Sequence, residues 1–275
     1  MVRTFYDQFT RMADHRLGAD GITVMNYGFA ELHGDGVRPA VEVPASLERE
    51  RYGLQLYAFA TRGVELEGKD VLEVGCGRGG GGAFLFEHGK PRSMTCLDLS
   101  RDAIAFCRSR HAAAGLSFQV GDAEALPFPA DTFDVVVNIE SSHNYNDCAA
   151  FYRGVRRVLR PGGTFVYADF FRAQSLPAVR GLLDREGMLV DSETLITPNI
   201  VAACEVDHER RTALIRKAVP FALRGFMKTF SATRGSAMLR ALDRGAIEYV
   251  VLRARTRSVT SHQSPNARLH AYDVH

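Results

Sequence analysis

The middle of the chain alternates short apolar runs with longer stretches in which apolar and polar positions are mixed. A short apolar run bounded by turn residues indicates a buried strand, and a longer mixed stretch indicates a helix. The predicted strands are Asp70–Val74, Met94–Leu99, Ser117–Val120, Phe133–Ile139 and Thr164–Phe170. The predicted helices are Gly82–His88, Arg101–Ala114 and Cys148–Leu159. This alternation predicts an α/β fold with a mostly parallel sheet and helices on both of its faces.

Helical patterns precede this region. A helix is predicted from Ser46 to Arg62, because Ser46 can cap it and apolar residues recur at helical spacing, and a similar spacing occurs in residues 5–12. Residues 1–66 are therefore expected to form an N-terminal helical cover. The sequence leaves open whether this cover only packs on the sheet or closes over the site as a lid.

The pattern changes after the fifth predicted strand. The elements expected there are a helix, a strand, a helical insertion and a last strand, at Ser175–Glu186, Leu189–Leu195, about 198–245 and Ala246–Arg253. The two strands around the insertion are expected to pair as an antiparallel hairpin at the edge of the sheet. Residues 67–255 would then form one domain, and the polar residues 256–275, which lack any periodic pattern, are expected to be a flexible tail.

The composition narrows the classes of partner. The 34 basic and 32 acidic residues give a net charge of +2, which argues against binding nucleic acid or a membrane surface by bulk charge. Five cysteines without a CxxC pair argue against a disulfide framework or a zinc site and favour the cytoplasm. No apolar run approaches the ~18 residues that a membrane span needs, and no secretory signal is visible. We expect no metal, nucleic acid or integral membrane contact, and a homo-oligomer is possible.

A glycine-rich loop follows the first strand of the central region. The run Val71–Gly82 predicts a strand, a tight turn and a helix start, which open a nucleotide-binding unit. Gly75, Gly77 and Gly80 also fit the dinucleotide fingerprint. However, Glu73 lies two residues before the first glycine, where a carboxylate suits a cationic ammonium and would repel a pyrophosphate. This charge disfavours a dinucleotide, and the pattern of Glu73, Gly75, Gly77 and Gly79 resembles motif I of the S-adenosylmethionine (SAM) dependent methyltransferases.

Polar residues also follow the second and third predicted strands. Asp98 is placed to accept hydrogen bonds from ribose hydroxyls, although it could instead cap the next helix. Asp122, between Gly121 and Ala123, is placed to accept from an adenine amino group, although it could simply be a turn residue. In an α/β sheet, ligands bind at the carboxyl ends of the strands, where both aspartates are predicted to lie.

These motifs and the Leu159–Gly163 turn, in this order, resemble those of the class I SAM-dependent methyltransferases over residues 68–170. The resemblance implies a Rossmann-like fold with a seven-stranded sheet, and SAM as cofactor with S-adenosylhomocysteine as product. The residues expected to bind SAM are Tyr27, Gln55, Glu73, Gly75, Cys76, Gly77, Gly79, Asp98, Leu99, Gly121, Asp122, Ala123 and Asn138. Of these, Tyr27 would close over the cofactor and Gln55 would reach its carboxylate.

A narrower resemblance rests on four segments: Met25–Gly28, Arg51–Tyr57, Gly79–Gly81 and Glu140–Tyr145. Together they look like the actinobacterial phthiotriol/phenolphthiotriol dimycocerosate methyltransferase group. Enzymes of that group methylate a secondary alcohol on a polyketide-derived lipid, and related chains modify antibiotics and other secondary metabolites. The resemblance implies O-methylation of a polyketide, lipid or other secondary metabolite, and therefore an apolar small-molecule acceptor.

An alcohol is a poor nucleophile while it is protonated, so its methylation benefits from a general base. His143 is the best candidate for this base because imidazole titrates near neutral pH, and Glu140 is the second candidate. Other reactions fit the same motifs. The chain could methylate nitrogen or carbon, or it could be a SAM-fold biosynthetic protein that transfers no methyl group, such as a cyclase or a binding partner.

Overall fold

The computed structural model describes residues 11–12, 15–16, 22–34, 36–38 and 42–256. The predictions for most of residues 5–12 and for the tail after residue 256 lie outside the described residues.

A seven-stranded sheet forms the centre of the molecule. Its strands are β3 (Asp70–Val74), β4 (Ser93–Asp98), β5 (Leu116–Val120), β6 (Phe133–Ile139), β7 (Leu159–Arg172), β8 (Met188–Leu195) and β9 (Ile247–Thr256). They lie in the order β5-β4-β3-β6-β7-β9-β8, and only β9 runs antiparallel to its neighbours. The predicted fold class and the antiparallel pair at this end of the sheet are confirmed. Two short strands that the sequence did not predict, β1 (Glu31–His33) and β2 (Gly36–Arg38), form a separate hairpin.

Nine α-helices lie within residues 42–256. They are α1 (Arg51–Ala60), α2 (Gly80–Gly89), α3 (Arg101–Arg110), α4 (Cys148–Val158), α5 (Leu176–Arg185), α6 (Thr197–Val206), α7 (His208–Ala218), α8 (Arg224–Phe230) and α9 (Ala237–Asp243). The last four lie between β8 and β9, where the helical insertion was predicted.

Three elements differ from their predicted bounds by four residues or more. The first part of the predicted helix 46–62 is a 3₁₀ turn at Ala45–Glu50. Helix α3 ends four residues early, because the chain must reverse into β5 through Gly115, which has a φ of +92°. Strand β7 begins five residues early, since its Leu159–Gly163 segment remains paired with β6 through an irregularity in the register.

The two faces of the sheet are buried in separate apolar clusters. Neighbouring strand residues face opposite sides, so that Val71 belongs to one cluster and Leu72 to the other. Helices α1, α2, α3, α6 and α9 contribute to the first cluster, and α4 and α5 to the second. Helix α1 of the cover and helices α6 and α9 of the insertion therefore share one face of the sheet.

Candidate active site

A cavity of about 330 Å³ lies at the carboxyl ends of the parallel strands. The turns after β3, β4, β5 and β6 form its walls, because parallel strands end at the same edge of a sheet. Nine of the residues predicted to form the site line it: Gly75, Cys76, Gly77, Asp98, Leu99, Gly121, Asp122, Ala123 and Glu140. Tyr57 of α1, which was not predicted as a site residue, lines it as well.

The other predicted site residues lie outside the lining of this cavity. These are Tyr27, Gln55, Glu73, Gly79, Asn138 and His143. Their predicted contacts with SAM, or with the acceptor in the case of His143, remain predictions.

Neighbouring side chains restrict which residues the glycine loop can contain. Gly75, Gly77 and Gly79 have φ values of +77°, +52° and +76°, which side-chain-bearing residues rarely adopt. A Cβ added at Gly75 would lie 2.0 Å from Ser141 Oγ, and one added at Gly79 would lie 2.7 Å from the Phe118 ring. Glycine is therefore required at both positions by neighbouring side chains, whatever the ligand.

Asp98 connects the glycine loop to the start of α3. Its Oδ2 accepts from the Gly77 N–H at 2.8 Å, and its Oδ1 accepts from the Ser100 N–H at 2.9 Å. The cap of α3 is Ser100, whose Oγ accepts from the Ala103 N–H. Asp98 is thus not the helix cap, and its carboxylate lies in the cavity wall, as ribose binding requires.

Asp122 makes a turn and lines the cavity as well. Its Oδ1 accepts from the Glu124 N–H at 2.9 Å and caps a short 3₁₀ turn at Ala123–Ala125. The two interpretations that the sequence left open are therefore compatible at this residue.

Glu73 lies below the loop and is almost completely buried. Its Oε1 accepts from the Tyr57 hydroxyl at 2.7 Å, and Tyr57 lines the cavity. Burial raises the pKa of Glu73 to about 7. In the described structure the carboxyl of Glu73 therefore reaches the cavity through Tyr57.

Three buried polar side chains near the loop lack complete hydrogen bonding among the described residues. Both amide atoms of Gln55, Oε2 of Glu73 and Oδ1 of Asn138 have no partner there. The Asn138 Nδ2 group donates to Val74 O at 2.8 Å and to the Tyr145 hydroxyl at 3.0 Å. Unpaired buried polar atoms are costly, so these atoms are suited to gain partners when a ligand binds.

His143 pairs with a carboxylate at the end of β7. Its Nδ1 lies 2.8 Å from Asp169 Oδ1, and its backbone N–H donates to Asp169 Oδ2 at 3.1 Å. The imidazole is 22% exposed, whereas Asp169 is completely buried. Burial lowers the pKa of His143, but the charge and hydrogen bond of Asp169 outweigh this effect and raise it above the usual value.

A chain of buried hydroxyl groups leads to the same carboxylate. Ser142 Oγ donates to Asp169 Oδ2 at 2.6 Å and lies 2.5 Å from the Tyr167 hydroxyl. The Tyr152 hydroxyl in turn donates to that of Tyr167 at 2.9 Å. Since the serine proton is directed to Asp169, each hydroxyl donates towards the carboxylate. This direction stabilises a negative charge beside His143.

The free side of the imidazole faces a second polar side chain. Asn144 Nδ2 lies 2.9 Å from His143 Nε2, and Asn144 lines the cavity. A carboxylate at Nδ1 and an amide N–H at Nε2 are both satisfied by a neutral imidazole that carries its proton on Nδ1. This is the tautomer in which Nε2 can accept a proton.

Glu140 lies in the cavity wall with an unusual backbone conformation. Its φ is +52°, which places it in the left-handed region at the end of β6. Its Oε2 accepts from the Tyr27 N–H at 2.8 Å and from the Tyr249 hydroxyl at 3.1 Å. Burial raises the pKa of Glu140 to about 8.

Tyr27 joins the cover to the insertion through its backbone. Besides its N–H bond to Glu140, its carbonyl accepts from Arg211 Nη2 at 2.6 Å. Its ring stacks on Phe170 at a centroid distance of 5.4 Å, and Phe170 also contacts the His143 ring at 4.4 Å. Phe170 therefore contacts both the Tyr27 ring and the base candidate, while Tyr27 itself is not part of the cavity lining, where its contact with the cofactor was expected.

Sequence reasoning missed the partners that organise these candidates. No catalytic role was predicted for Asp169, Tyr249, Ser142 or Arg211. The available signal was an acidic residue inside the apolar run Phe165–Phe171, because a carboxylate there must be paired.

The charged side chains around the cavity fit SAM. Four carboxyl-bearing residues line it, Asp98, Asp122, Glu124 and Glu140, against one guanidinium, that of Arg78, which donates to the Ile22 carbonyl. Such a lining suits a molecule with hydroxyl, amino and cationic groups and disfavours a pyrophosphate.

Comparison with known proteins agrees with this assignment. The model of a family described as a methyltransferase domain matches residues 72–167. A fatty-acid O-methyltransferase of Mycolicibacterium smegmatis is 38% identical over 226 residues, which are 82% of this chain and 80% of that protein. The chain belongs to the SAM-dependent methyltransferases. The predicted family and cofactor are thereby confirmed.

One further relative and one solved structure extend the comparison of this methyltransferase. The phthiotriol/phenolphthiotriol dimycocerosates methyltransferase of Mycobacterium tuberculosis is 35% identical over 249 residues, 90% of this chain and 88% of that protein. The crystal structure of the [4+2]-cyclase SpnF has a TM-score of 0.69 at 18% identity and covers 94% of this chain and 96% of its own. The second likeness shows the fold alone.

Within the described residues, no three His, Cys, Asp or Glu side chains are grouped as a metal ion would require. Every helix in that part of the methyltransferase is too short or too polar to cross a membrane.

Proposed function

We propose that this methyltransferase methylates a hydroxyl oxygen on an apolar small molecule, such as a lipid or a polyketide, with His143 as general base. The hydrogen bond of 2.8 Å between His143 Nδ1 and the buried carboxylate of Asp169 carries the proposal. The names of the relatives support it, since one is an O-methyltransferase of fatty acids and the other a methyltransferase of phthiotriol and phenolphthiotriol dimycocerosates.

The chemical step that depends on the protein's own side chains is removal of the proton from the acceptor hydroxyl. When bound, SAM supplies a methyl group on a sulfonium, which is already an activated leaving group. The protein has to align the acceptor, exclude water and remove the hydroxyl proton. His143 accepts this proton at Nε2, while Asp169 holds the Nδ1 proton and stabilises the imidazolium that forms. Deprotonation at Nε2 is needed first, so turnover should rise as pH rises through the raised pKa of His143.

In this scheme the Asn144 amide must leave His143 Nε2 when the acceptor binds. Its amide donates to His143 Nε2, the atom that the acceptor hydroxyl must reach. The hydroxyl can replace the amide because it donates a hydrogen bond to the same lone pair. The Asn144 side chain therefore maintains the productive tautomer of the base until the acceptor binds.

Glu140 serves as an orienting group in this proposal. Both hydrogen bonds to its Oε2 come from the protein, through Tyr27 and Tyr249, so that this oxygen already has its partners. The left-handed backbone at Glu140 directly follows β6 and leads into the short turn that carries His143. The cover and the insertion, at 1–66 and about 198–245, would close the acceptor site from above through the contacts of Tyr27.

A second candidate is methylation of a carboxylate, favoured by the name of the fatty-acid relative. A carboxylate is already ionised at neutral pH and needs no base. A comparison of the two acceptors therefore distinguishes the role of His143 as a base from methyl transfer that needs no base. A long-chain secondary alcohol and a fatty acid of equal length should be offered to the wild-type protein and to His143→Ala.

The expected result is transfer to the alcohol by the wild type, with a loss of about 10²–10⁴-fold in kcat for His143→Ala, as for other general bases. SAM affinity, measured by calorimetry, should stay unchanged. Transfer only to the fatty acid, with equal rates in both proteins, would refute the base. A methylated amine or carbon would refute O-methylation, and SAM binding without any methylated product from a source extract would favour a biosynthetic protein that transfers no methyl group.

A further inference from the structure

A protruding apolar tip lies at the turn between helices α7 and α8 of the insertion and in the first turn of α8. It consists of Phe221, Leu223 and Phe226, whose exposed fractions are 85%, 53% and 58%. Ala222 and Gly225 between them are exposed as well. Most large apolar side chains of the protein are buried, so a cluster of three such residues at one turn indicates a binding surface.

The tip is firmly held by the helices beside it. Met227 is 5% exposed and packs in one cluster with Ile215 and Val219. The Arg224 guanidinium donates to Val219 O at 3.1 Å and lies 5.8 Å from the Phe221 ring. The exposure of the apolar tip is therefore a property of an ordered turn.

The charge around the tip has one sign. From Arg210 to Leu242 the sequence contains eight basic residues and no acidic one. Arg216, Arg224 and Lys228 flank the tip, and none of them forms an ion pair with a carboxylate among the described residues. The basic residues farther away differ, since Arg210, Arg211 and Arg234 pair with Asp207 or Glu205.

We propose that this basic apolar tip docks on the surface of an anionic lipid bilayer. Phenylalanine and leucine enter the boundary between headgroups and acyl chains, while lysine and arginine remain at the level of the lipid phosphates. The charge supports this partner, because a neutral or cationic surface would gain nothing from Arg216, Arg224 and Lys228. The net charge of +2 is that of the whole chain, whereas the attraction to an anionic bilayer comes from the basic residues beside the tip.

Docking would place the active site near the bilayer. Helix α7, which precedes the tip, carries Arg211, whose Nη2 donates to Tyr27 O, and the Tyr27 N–H donates to Glu140 in the cavity wall. The use of the bound bilayer as a source of acceptor rests on the proposed function. The binding itself does not, and it can be measured without any acceptor.

The test is flotation of the full-length protein with vesicles. One set contains phosphatidylglycerol and phosphatidylcholine in equal parts, and the other contains phosphatidylcholine alone. We expect binding to the anionic vesicles that weakens at high salt, and at most weak binding to the neutral ones. Arg216→Glu with Lys228→Glu should lower the binding constant by at least about 25-fold, from about fivefold for each basic residue. Phe221→Ser with Leu223→Ser should also abolish most of the binding.

Matched controls use residues of similar exposure elsewhere. Leu189→Ser removes a 45% exposed leucine on β8, and Arg185→Glu reverses an exposed charge on α5. Both should bind vesicles like the wild type, and all variants should bind SAM equally if they are folded.

Three results would overturn the proposal. The first is a wild type that does not float with anionic vesicles, and the second is an equal loss of binding in the control variants. The third is a dimer that Phe221→Ser with Leu223→Ser dissociates without any vesicle binding, which would make the tip a contact between two copies. In each of these cases the docking proposal fails even if the protein methylates a bilayer-resident alcohol normally. Conversely, vesicle binding without methylation would overturn the proposed acceptor and leave the docking intact.

Discussion

Replacement of Asp169 by asparagine removes one charge and leaves the shape of the side chain nearly unchanged. Four donors converge on this carboxylate: the Ser142 hydroxyl, the backbone N–H groups of His143 and Phe170, and the imidazole Nδ1. One backbone N–H points to each oxygen, and neither can reverse its direction. The amide NH₂ of an asparagine must therefore face a backbone donor in either orientation.

The cost follows from the bonds that are lost. A hydrogen bond to a charged group contributes about 1.5–3 kcal/mol, so loss of the bond to His143 should lower kcat for an alcohol acceptor by about 10–100-fold. If the amide NH₂ faces Nδ1, the imidazole proton moves to Nε2 and the base is lost, which makes the decrease larger. One unpaired backbone donor should also lower the free energy of unfolding by about 1–3 kcal/mol.

Steady-state kinetics over a pH series would measure both effects. Asp169 raises the pKa of His143, and the neutral imidazole is the active form, so the acid limb of the wild-type profile should lie above the usual pKa of histidine. In Asp169→Asn this limb should move to lower pH while the plateau falls. Asp191→Asn is a matched control, since its carboxylate only pairs with Arg255 at the surface. An unchanged limb and plateau in Asp169→Asn, with a folded protein that binds SAM, would refute the pairing as the basis of catalysis.

Three further changes test other parts of the site. Asp98→Ala should weaken SAM binding by at least about tenfold in calorimetry, because charged hydrogen-bond acceptors are lost, and equal affinity would contradict its place in the cofactor site. Asn144→Ala should shift the acid limb of the rate to higher pH, since its amide stabilises the neutral imidazole, and a shift to lower pH would contradict this. Gly81→Ala should destabilise the protein by about 1–3 kcal/mol in thermal unfolding, because its Cβ would lie 1.9 Å from the Tyr57 ring. The comparable change Gly154→Ala meets only ordinary contacts and should stabilise by up to about 1 kcal/mol; equal effects of the two glycine changes would be inconsistent with this packing.

The sheet could be predicted because its signals are local. Strands β3 and β6 were predicted with their observed bounds, since both are mostly apolar runs between turn residues. The place of Asp98 and Asp122 followed from a general property of parallel sheets, namely that strand ends meet at one edge. These predictions required no knowledge of side-chain contacts across the fold.

The pairing of side chains could not be predicted in the same way. His143 and Asp169 are 26 positions apart, and Tyr57 and Glu73 are 16 apart, so that only the folded topology brings each pair together. Nor did the pattern show that Glu73 and Gln55 would be almost completely buried. A charged or amide side chain in an apolar run predicts that a partner exists, but it does not identify that partner.

The backbone of the cover is hydrogen-bonded to the insertion at more than one residue. In addition to Tyr27, Ala30 is bonded in both directions to Asn199, through its N–H at 3.3 Å and its carbonyl at 2.9 Å. For protein engineering, these two segments therefore constitute one exchangeable module despite their separation in sequence. A chimera that imports the insertion of a relative to change acceptor preference should import residues 22–34 from the same parent. Otherwise the transplanted helices would meet a cover that was selected for different partners.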